Sequence, residues 1–397
     1  MKLLSSLIIF AMTAMAADSA NALPVEISGQ FRLRAEGNAF TDLATDRDFF
    51  TVRLRPRFNL KTEAYELVFT PQFAKTLGVT TGTSGTTTDS ALGVHEAYGT
   101  YPLIHGVLRL SGGRMILSYG DELVVGALEW NNVGRSFDGF RARFTHDTTW
   151  VDFFATKVNE NNAAAPTAPD QDFMGIYSHF ESVPALQGVD LYSFYQKSPV
   201  AAKDTQLYVV GARTSGRHDQ FDHRIEGTLE TGDGTLSPTS PFQVDAELGI
   251  RLPGSLDPRL AVGGFIAGQG YHSLYPTAHK WLGSADVVGR RNLKGLRASA
   301  EAHVTSNWVI KSEYHHFERF DSNSDIFKTD GVTKLGNSAS SSSKSIGSEI
   351  DFTLTHAMDS STTLSGGGAL FFEGQYLQDQ FASRTPVFYY VQLETKF

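Results

Sequence analysis

The sequence predicts an all-β fold, a single transmembrane antiparallel β-barrel of about eighteen strands with short periplasmic turns and long extracellular loops. Three observations carry this expectation. Segments of about ten residues alternate apolar and polar side chains along the whole chain, the two-residue period of a strand that meets lipid on one face and water on the other. The gaps between these segments alternate between long and short, an asymmetry that outer-membrane barrels show and a soluble sandwich has no reason to adopt. After the first 22 residues, no stretch offers the ~20 consecutive apolar residues that a membrane helix needs.

In chain order, Met1-Lys2 is followed by a mostly apolar run from Leu3 to Met15 and by two small-residue cleavage patterns, Ala14-Met15-Ala16 and Ala20-Asn21-Ala22. Residues 1–22 read as a secretory signal peptide, cut after Ala22, with Ala16 as the other site. Residues 23–397 then form one barrel domain. The alternation places strands at 25–36, 49–61, 64–75, 93–102, 106–117, 136–146, 149–158, 172–183, 189–197, 205–215, 220–230, 241–252, 258–268, 291–303, 307–319, 343–356, 361–373 and 387–397. After odd-numbered strands come mostly long polar connections: 37–48, 76–92, 118–135, 159–171, 198–204, 231–240, 269–290, 320–342 and 374–386. After even-numbered strands come short ones such as Thr62-Glu63, Asp147-Thr148, Gly216 to Asp219 and Pro253 to Asp257.

An even count places both ends of the barrel in the periplasm; sixteen strands would follow if one pair were misread. Within 118–135, Leu123-Val124-Val125 could prolong a strand, but Gly120, Gly126, Asn131, Asn132 and Gly134 favour a folded loop. The Ser/Thr-rich runs Thr80 to Ser90 and Ser338 to Ser343 read as solvated loops. In the last segment Val387, Tyr389, Val391, Leu393 and Thr395 alternate with Phe388, Tyr390, Gln392, Glu394 and Lys396. The segment ends on Phe397, which resembles the signal by which outer-membrane barrels are recognised for assembly.

Composition agrees. The 37 Gly, 14 Tyr and 28 Phe suit barrel strands and their aromatic girdles. The chain has no Cys, which excludes disulfides, thiol chemistry and Cys-based metal sites. A net charge of -9 argues against nucleic acid as a partner, while saying little about the lumen.

Parity assigns the pore-facing side chains. On the second strand Val52, Leu54, Pro56, Phe58 and Leu60 face lipid, leaving Arg53, Arg55, Arg57, Asn59 and Lys61 inside. By the same reading Gln30, Arg32 and Arg34 face inward on the first strand and Arg141 and Arg143 on the sixth, with Asp138 near that strand's start. Arg251 shares the inward parity, and Arg213 and Arg259 join it. An arginine on the lipid face would cost ~2–4 kcal/mol at the midplane, so the barrel forces these groups inside. Asp222, Arg224, Glu226, Glu230, Asp245, Glu247, Glu349 and Asp351 share that interior, so part of the arginine braces the wall as a salt-bridge lattice. Three like charges at two-residue spacing, Arg53, Arg55 and Arg57, suit such bracing poorly. A cationic stripe lowers the barrier to an anion in a narrow pore, and guanidinium grips carboxylates in pairs. The expected cargo is therefore anionic, a polyanionic sugar or small anions.

Several stretches carry a family resemblance: Gly112-Gly113-Arg114 leading to Tyr119-Gly120-Asp121; Glu129-Trp130-Asn131-Asn132-Val133-Gly134-Arg135-Ser136-Phe137-Asp138-Gly139; Leu274 to Gly283; Ala285 to Asn292; and Ser345 to Asp351. The chain resembles the alginate export family of outer-membrane barrels. That resemblance implies an eighteen-stranded monomeric barrel whose arginine-rich lumen passes an anionic exopolysaccharide outward, helped by loops folded into the pore. It implies pore or loop-docking roles for Arg114, Asp121, Arg135, Asp138, Lys280, Arg290, Arg291, Glu349 and Asp351. The chain departs from the family pattern at Glu122-Leu123-Val124, where a basic residue is expected, and at Ile266 to Gly270, where a Ser-Gly-Asp turn is expected. These departures leave the polymer open.

The loop 269–290 is unusually apolar for an outer loop at Tyr275, Pro276, Trp281 and Leu282, which predicts that it tucks into the barrel mouth. Enzyme chemistry is not expected: His315 and His316 point to opposite faces of one strand, and His272 and His279 have no matching carboxylate pattern. The oxygen-rich run Asp321 to Asp325 could attract a hard cation, but its spacing fits no recognised loop and reads as a solvated turn. No cofactor or metal is expected. The expected partners are outer-membrane lipid, the anion and, because a barrel is a passive conduit, a periplasmic export apparatus. A general or sugar-selective anion porin working in the import direction uses the same lumen and is the rival function.

Overall fold

The structure, a computed structural model, describes residues 24–39, 47–77, 92–159, 171–200, 203–233, 240–331, 333–381 and 385–397. The expected signal peptide and the Thr80 to Ser90 run lie outside them. Eighteen strands follow one another: β1 Val25–Ala39, β2 Arg47–Lys61, β3 Glu66–Leu77, β4 Gly93–Ile104, β5 Leu108–Met115, β6 Phe137–His146, β7 Thr149–Asn159, β8 Gln171–Val183 and β9 Gln187–Val200. The second half comprises β10 Lys203–His218, β11 Phe221–Gly232, β12 Phe242–Arg251, β13 Arg259–Ala267, β14 Leu293–His303, β15 Trp308–Arg319, β16 Ser345–Ala357, β17 Thr362–Glu373 and β18 Val387–Lys396. One short helix, α1 Gln375–Gln380, sits between β17 and β18.

Each strand pairs antiparallel with its predecessor, and β18 closes the sheet on β1 with Leu33 opposite Leu393. Closure leaves no edge whose N–H and C=O groups would go unpaired in hydrocarbon. Every expected strand is present, shifted by a few residues at most, so the sixteen-strand alternative does not apply. The loop sorting holds with one exception: the expected connection 198–204 shrinks to 201–202, because β9 and β10 run on and pair as far as Val200 and Lys203. Connections 62–65, 105–107, 147–148, 184–186 and 219–220 lie at one end, and 116–136, 268–292, 320–344 and 374–386 at the other.

The barrel is apolar on its outside because its outer solvent is lipid. Phe140, Leu248, Val262 and Leu296 are all more than 60% exposed. The inside divides in two. On the β7–β10 wall, Phe154, Phe173, Tyr177, Tyr192, Phe194, Leu207 and Val209 form a packed apolar face with Tyr119, Leu123, Val124 and Val125 from connection 116–136 and with Leu274, Tyr275, Trp281 and Leu282 from 268–292. The opposite wall, β1 and β2, is arginine. A segment that touches opposite walls of a closed sheet lies within it, so both long connections fold into the lumen.

The outer mouth is closed further by 320–344 and α1. Fully buried Arg319 donates to the carbonyls of Ser341 (2.7 Å) and Ser343 (2.8 Å) and lies over the Tyr376 ring. This corrects the reading of Ser338 to Ser343 as a plain solvated loop: it contains a 3₁₀ turn, and the Ser341 hydroxyl donates to Asp379. The Asp321 to Asp325 turn is likewise held by the protein. The Asn292 amide nitrogen donates to three of its carbonyls, and Asp325 pairs with Lys334 at 2.7 Å.

Candidate functional site

Connection 116–136 reaches across the barrel and is clamped by inward arginines of β1 and β2. Arg32 donates to the Glu129 and Asn131 carbonyls at 2.8 and 3.2 Å, and Arg53 donates to the same two at 3.2 and 3.1 Å. Arg34 donates to the Trp130 carbonyl at 3.0 Å and stacks 3.9 Å over its ring. Arg55 holds both carboxylate oxygens of Glu129, at 2.9 and 2.7 Å, and the Val133 carbonyl at 2.6 Å. Arg53 and Arg55 therefore do not stand as a bare cationic stripe, since Glu129 lies between them; Arg57 pairs with Glu96. Burial alone would raise the Glu129 pKa, but the His95 imidazole 3.6 Å away and the Arg55 and Arg53 charges hold it at about 2.

The second long connection docks on the first and on the far wall. The Gly126 N–H donates to the Tyr275 carbonyl, the Tyr275 N–H to the Val124 carbonyl, and the Thr277 hydroxyl to Glu122 at 2.6 Å. Arg135 donates to the Tyr275 and Pro276 carbonyls. Asp121 receives Arg213 at 2.6 Å, and Arg213 also reaches Asp190. Arg290 meets fully buried Asp245 at 2.8 Å, where Arg297 and Arg224 also converge. Glu349 accepts the Ala285 N–H at 2.7 Å, and its strand neighbour Asp351 lies 3.3 Å from His315.

Open spaces are left among the described residues of the lumen. A chamber of about 750 Å³ opens toward the short-turn end, lined by Arg32, Arg53, Arg55, Arg57, Lys280 and Lys396 against Glu96, Glu129 and Glu394. Beside it, about 530 Å³ is lined by Arg213, Arg217, Arg224, Arg259 and Lys280 against Asp121, Asp222 and Glu247. Both carry an excess of positive side chains, and Lys280 belongs to both. A smaller outer space of about 320 Å³ shares His279 with the first chamber. Between inside and outside stands a stack of Trp130 on His279, with ring centroids 4.0 Å apart, backed by Arg34 and by Asp286 at 2.8 Å from the imidazole. A closed barrel whose lumen is narrowed by cation-held loops is built to pass and gate a solute.

Residues 24–388 match the family model for alginate export. The chain belongs to the alginate export family. With its closed barrel, this family member is a channel of the Gram-negative outer membrane. No curated protein sequence matches it. In fold it is similar to Pseudomonas aeruginosa OpdO, at 11% identity and a TM-score of 0.65 over 94% of this chain and 97% of that one. It is also similar to Acinetobacter baumannii OccAB3, at 10% identity and 0.64 over 94% and 100%. At such identities the likeness concerns the fold alone.

The structure gathers Arg32, Arg34, Arg53, Arg55, Arg57, Asp121, Arg213 and Lys280 around the loops and chambers of this channel. Arg141 also faces inward, and Arg143 does so while pairing with Asp152 at 2.6 Å. Arg251 sits near the short-turn end, paired with Asp257. Arg135, Arg290 and Arg291 are loop anchors within the packed assembly, with Arg291 over the Phe327 ring. Arg114 and Asp138 are corrected outright. They share the parity of Leu110 and Phe140, form a two-pronged pair at 2.7 and 2.6 Å on the outer wall, and do not line the pore. Sequence reasoning gave no role to Glu129, Glu96, Trp130 or His279. Glu129, Trp130 and His279 lie in stretches that carry the family resemblance, but no local pattern gives their roles, since each acts on a partner tens of residues away.

Two expected results follow from the loop anchors. Gly283 has φ +85°, and a Cβ there would lie 2.5 Å from the Glu349 carboxylate. Gly283→Ala should therefore undock 268–292, seen as faster protease cleavage within that segment in proteoliposomes. Acid should act in two stages. Burial, then the Arg291 charge, lowers the His272 pKa from its ordinary 6.5 to about 4. The undocked loop thus takes up the proton first, and docking weakens as pH falls from ~6.5 to ~4. The Glu129 clamp, lowered to about 2, should weaken only between its ordinary 4.5 and about 2. Conductance recorded against pH should rise in these two windows. A single step near neutrality would contradict the assignment.

Proposed function

We propose that this channel exports an anionic, alginate-like polysaccharide through its arginine-lined lumen, with the Trp130–His279 contact as the point the polymer must open. The observation that carries this reading is the larger inner chamber, where six basic side chains face three acidic ones. Such a surface draws a polyuronate in and offers each carboxylate a guanidinium partner, while the paired acids keep any one site from holding it too tightly. The family's alginate export description supports the same direction of transport. A closed barrel completes its wall alone, so a monomer is sufficient. A passive conduit also calls for a periplasmic apparatus to supply the driving force.

The size of the spaces favours a second reading, a porin for small anions. Chambers of about 750 and 530 Å³ hold small solutes without moving a loop, whereas a polymer must displace one. Planar-bilayer recordings under a KCl gradient, with polyuronate added to one side, separate the two. Anion-selective current blocked by micromolar polyuronate supports the export conduit. Anion-selective current indifferent to the polymer supports the small-anion porin, and cation-selective current removes both.

A further inference from the structure

The outward-facing pair Arg114–Asp138 is the start of a longer arrangement. Registers place Arg114 opposite Asp138, Asp138 opposite Lys157, Lys157 opposite Asp172, and Asp172 opposite Lys197, one residue on each of β5 to β9. All five share the parity of lipid-facing side chains such as Phe140, Phe153, Met174 and Leu191. The Lys157 ammonium lies 2.9 Å from Asp172, and the Arg114, Asp138 and Lys157 side chains are each more than 40% exposed.

The row lies close to the ends of its strands that carry the long connections, the outward-facing side of the membrane. The next outward row toward the midplane is Gly112, Phe140, Ala155, Met174 and Tyr195, which is apolar or aromatic. Charge on the lipid-facing wall is tolerated only near the interface, at roughly 0–1 kcal/mol per basic group instead of ~2–4 at the midplane. The boundary between the two rows therefore fixes the level of the outer head groups. Exposed ion pairs contribute little stability, a median of ~0–1 kcal/mol, so bracing is a weak reason for five charged side chains in line.

We propose that this ladder binds the phosphorylated head group of an outer-leaflet glycolipid. Arg114, Lys157 and Lys197 take the phosphates, and an acyl chain lies along the apolar row of Phe140, Ala155 and Met174, where the Phe140 ring already covers Gly112. Three cations against two carboxylates leave the row net positive, complementary to a phosphorylated surface. The alternation spaces those cations two strands apart, about 10 Å, so that separate phosphates are held separately.

The test is binding of bisphosphorylated lipid A to the full-length barrel in detergent, read by native mass spectrometry, with fully dephosphorylated lipid A in parallel. The combined variant Arg114→Gln, Lys157→Gln, Lys197→Gln should bind the phosphorylated lipid at least tenfold more weakly. The wild type should prefer it to the dephosphorylated lipid. Asp138→Asn with Asp172→Asn removes the carboxylates that compete with phosphate for Arg114 and Lys157 and should bind several-fold more tightly, a gain that misfolding cannot produce. Equal binding of the two lipids by the wild type, or unchanged binding in both variants, overturns the proposal.

Discussion

Glu129→Gln should open the channel. Glu129 supplies a carboxylate shared by Arg53 and Arg55, and its backbone carbonyl holds Arg32 and Arg53. Without the charge, two buried guanidiniums repel, with Glu96 and Glu394 as the remaining acids of the chamber. Breaking a buried pair costs ~3–5 kcal/mol and an exposed one ~1; Glu129 is 44% exposed, so a loss on the order of 2 kcal/mol is expected. That shifts the clamped-to-released balance of connection 116–136 by more than tenfold. Single-channel recordings should show longer or larger openings with stronger anion selectivity, because the freed arginines face the chamber. Smaller currents, or unchanged gating, would show that Glu129 does not hold the constriction. Glu129→Asp, which keeps the charge, should restore most of the closed behaviour.

Asp245→Asn should instead destabilise the barrel. Asp245 is fully buried and receives Arg297 at 2.6 Å and Arg290 at 2.8 Å, with Arg224 on the same oxygen as Arg297. These partners come from β14, the 268–292 connection and β11, so one carboxylate ties three separate parts of the chain together. Neutralising it leaves three buried cations with Glu247 beside Arg297 and Asp121 at 3.8 Å from Arg224, both acids already shared with other arginines. A loss of ~3–5 kcal/mol is expected, read as a lower urea midpoint in lipid vesicles or a lower temperature for loss of the compact band on gels. Arg251→Gln, which breaks a partly exposed pair with a turn residue, should change the midpoint little. If both variants unfold alike, the Asp245 node has no special place in the wall.

The contrast between these two sites matches what could be read in advance. Parity correctly turned Arg32, Arg34, Arg53, Arg55 and Asp245 inward, because a strand between lipid and water has only two sides. It could also have turned Arg114 and Asp138 outward. Arg114 sits four residues after Leu110 and Asp138 two before Phe140, and only the family resemblance drew them into the pore. The apolar character of Tyr275, Trp281 and Leu282 pointed to a tucked loop, and the structure packs all three in the interior. Nothing in the sequence paired Glu129 with Arg55, or Thr277 with Glu122, since those contacts join segments 74 and 155 residues apart.

The sequence by itself determined the barrel, its strand boundaries, the sorting of its loops and the sign of most inward side chains. These depend on local alternation imposed by two solvents, and local alternation is written residue by residue. The tertiary structure alone decided which cations are free and which are clamps, how two long connections divide the lumen into chambers, and that Trp130 meets His279 between them. Those outcomes depend on distances across a closed wall. Closure brings β1 and β2 to face β10 through folded loops, and the free energy of each charge is set by the partner it meets there.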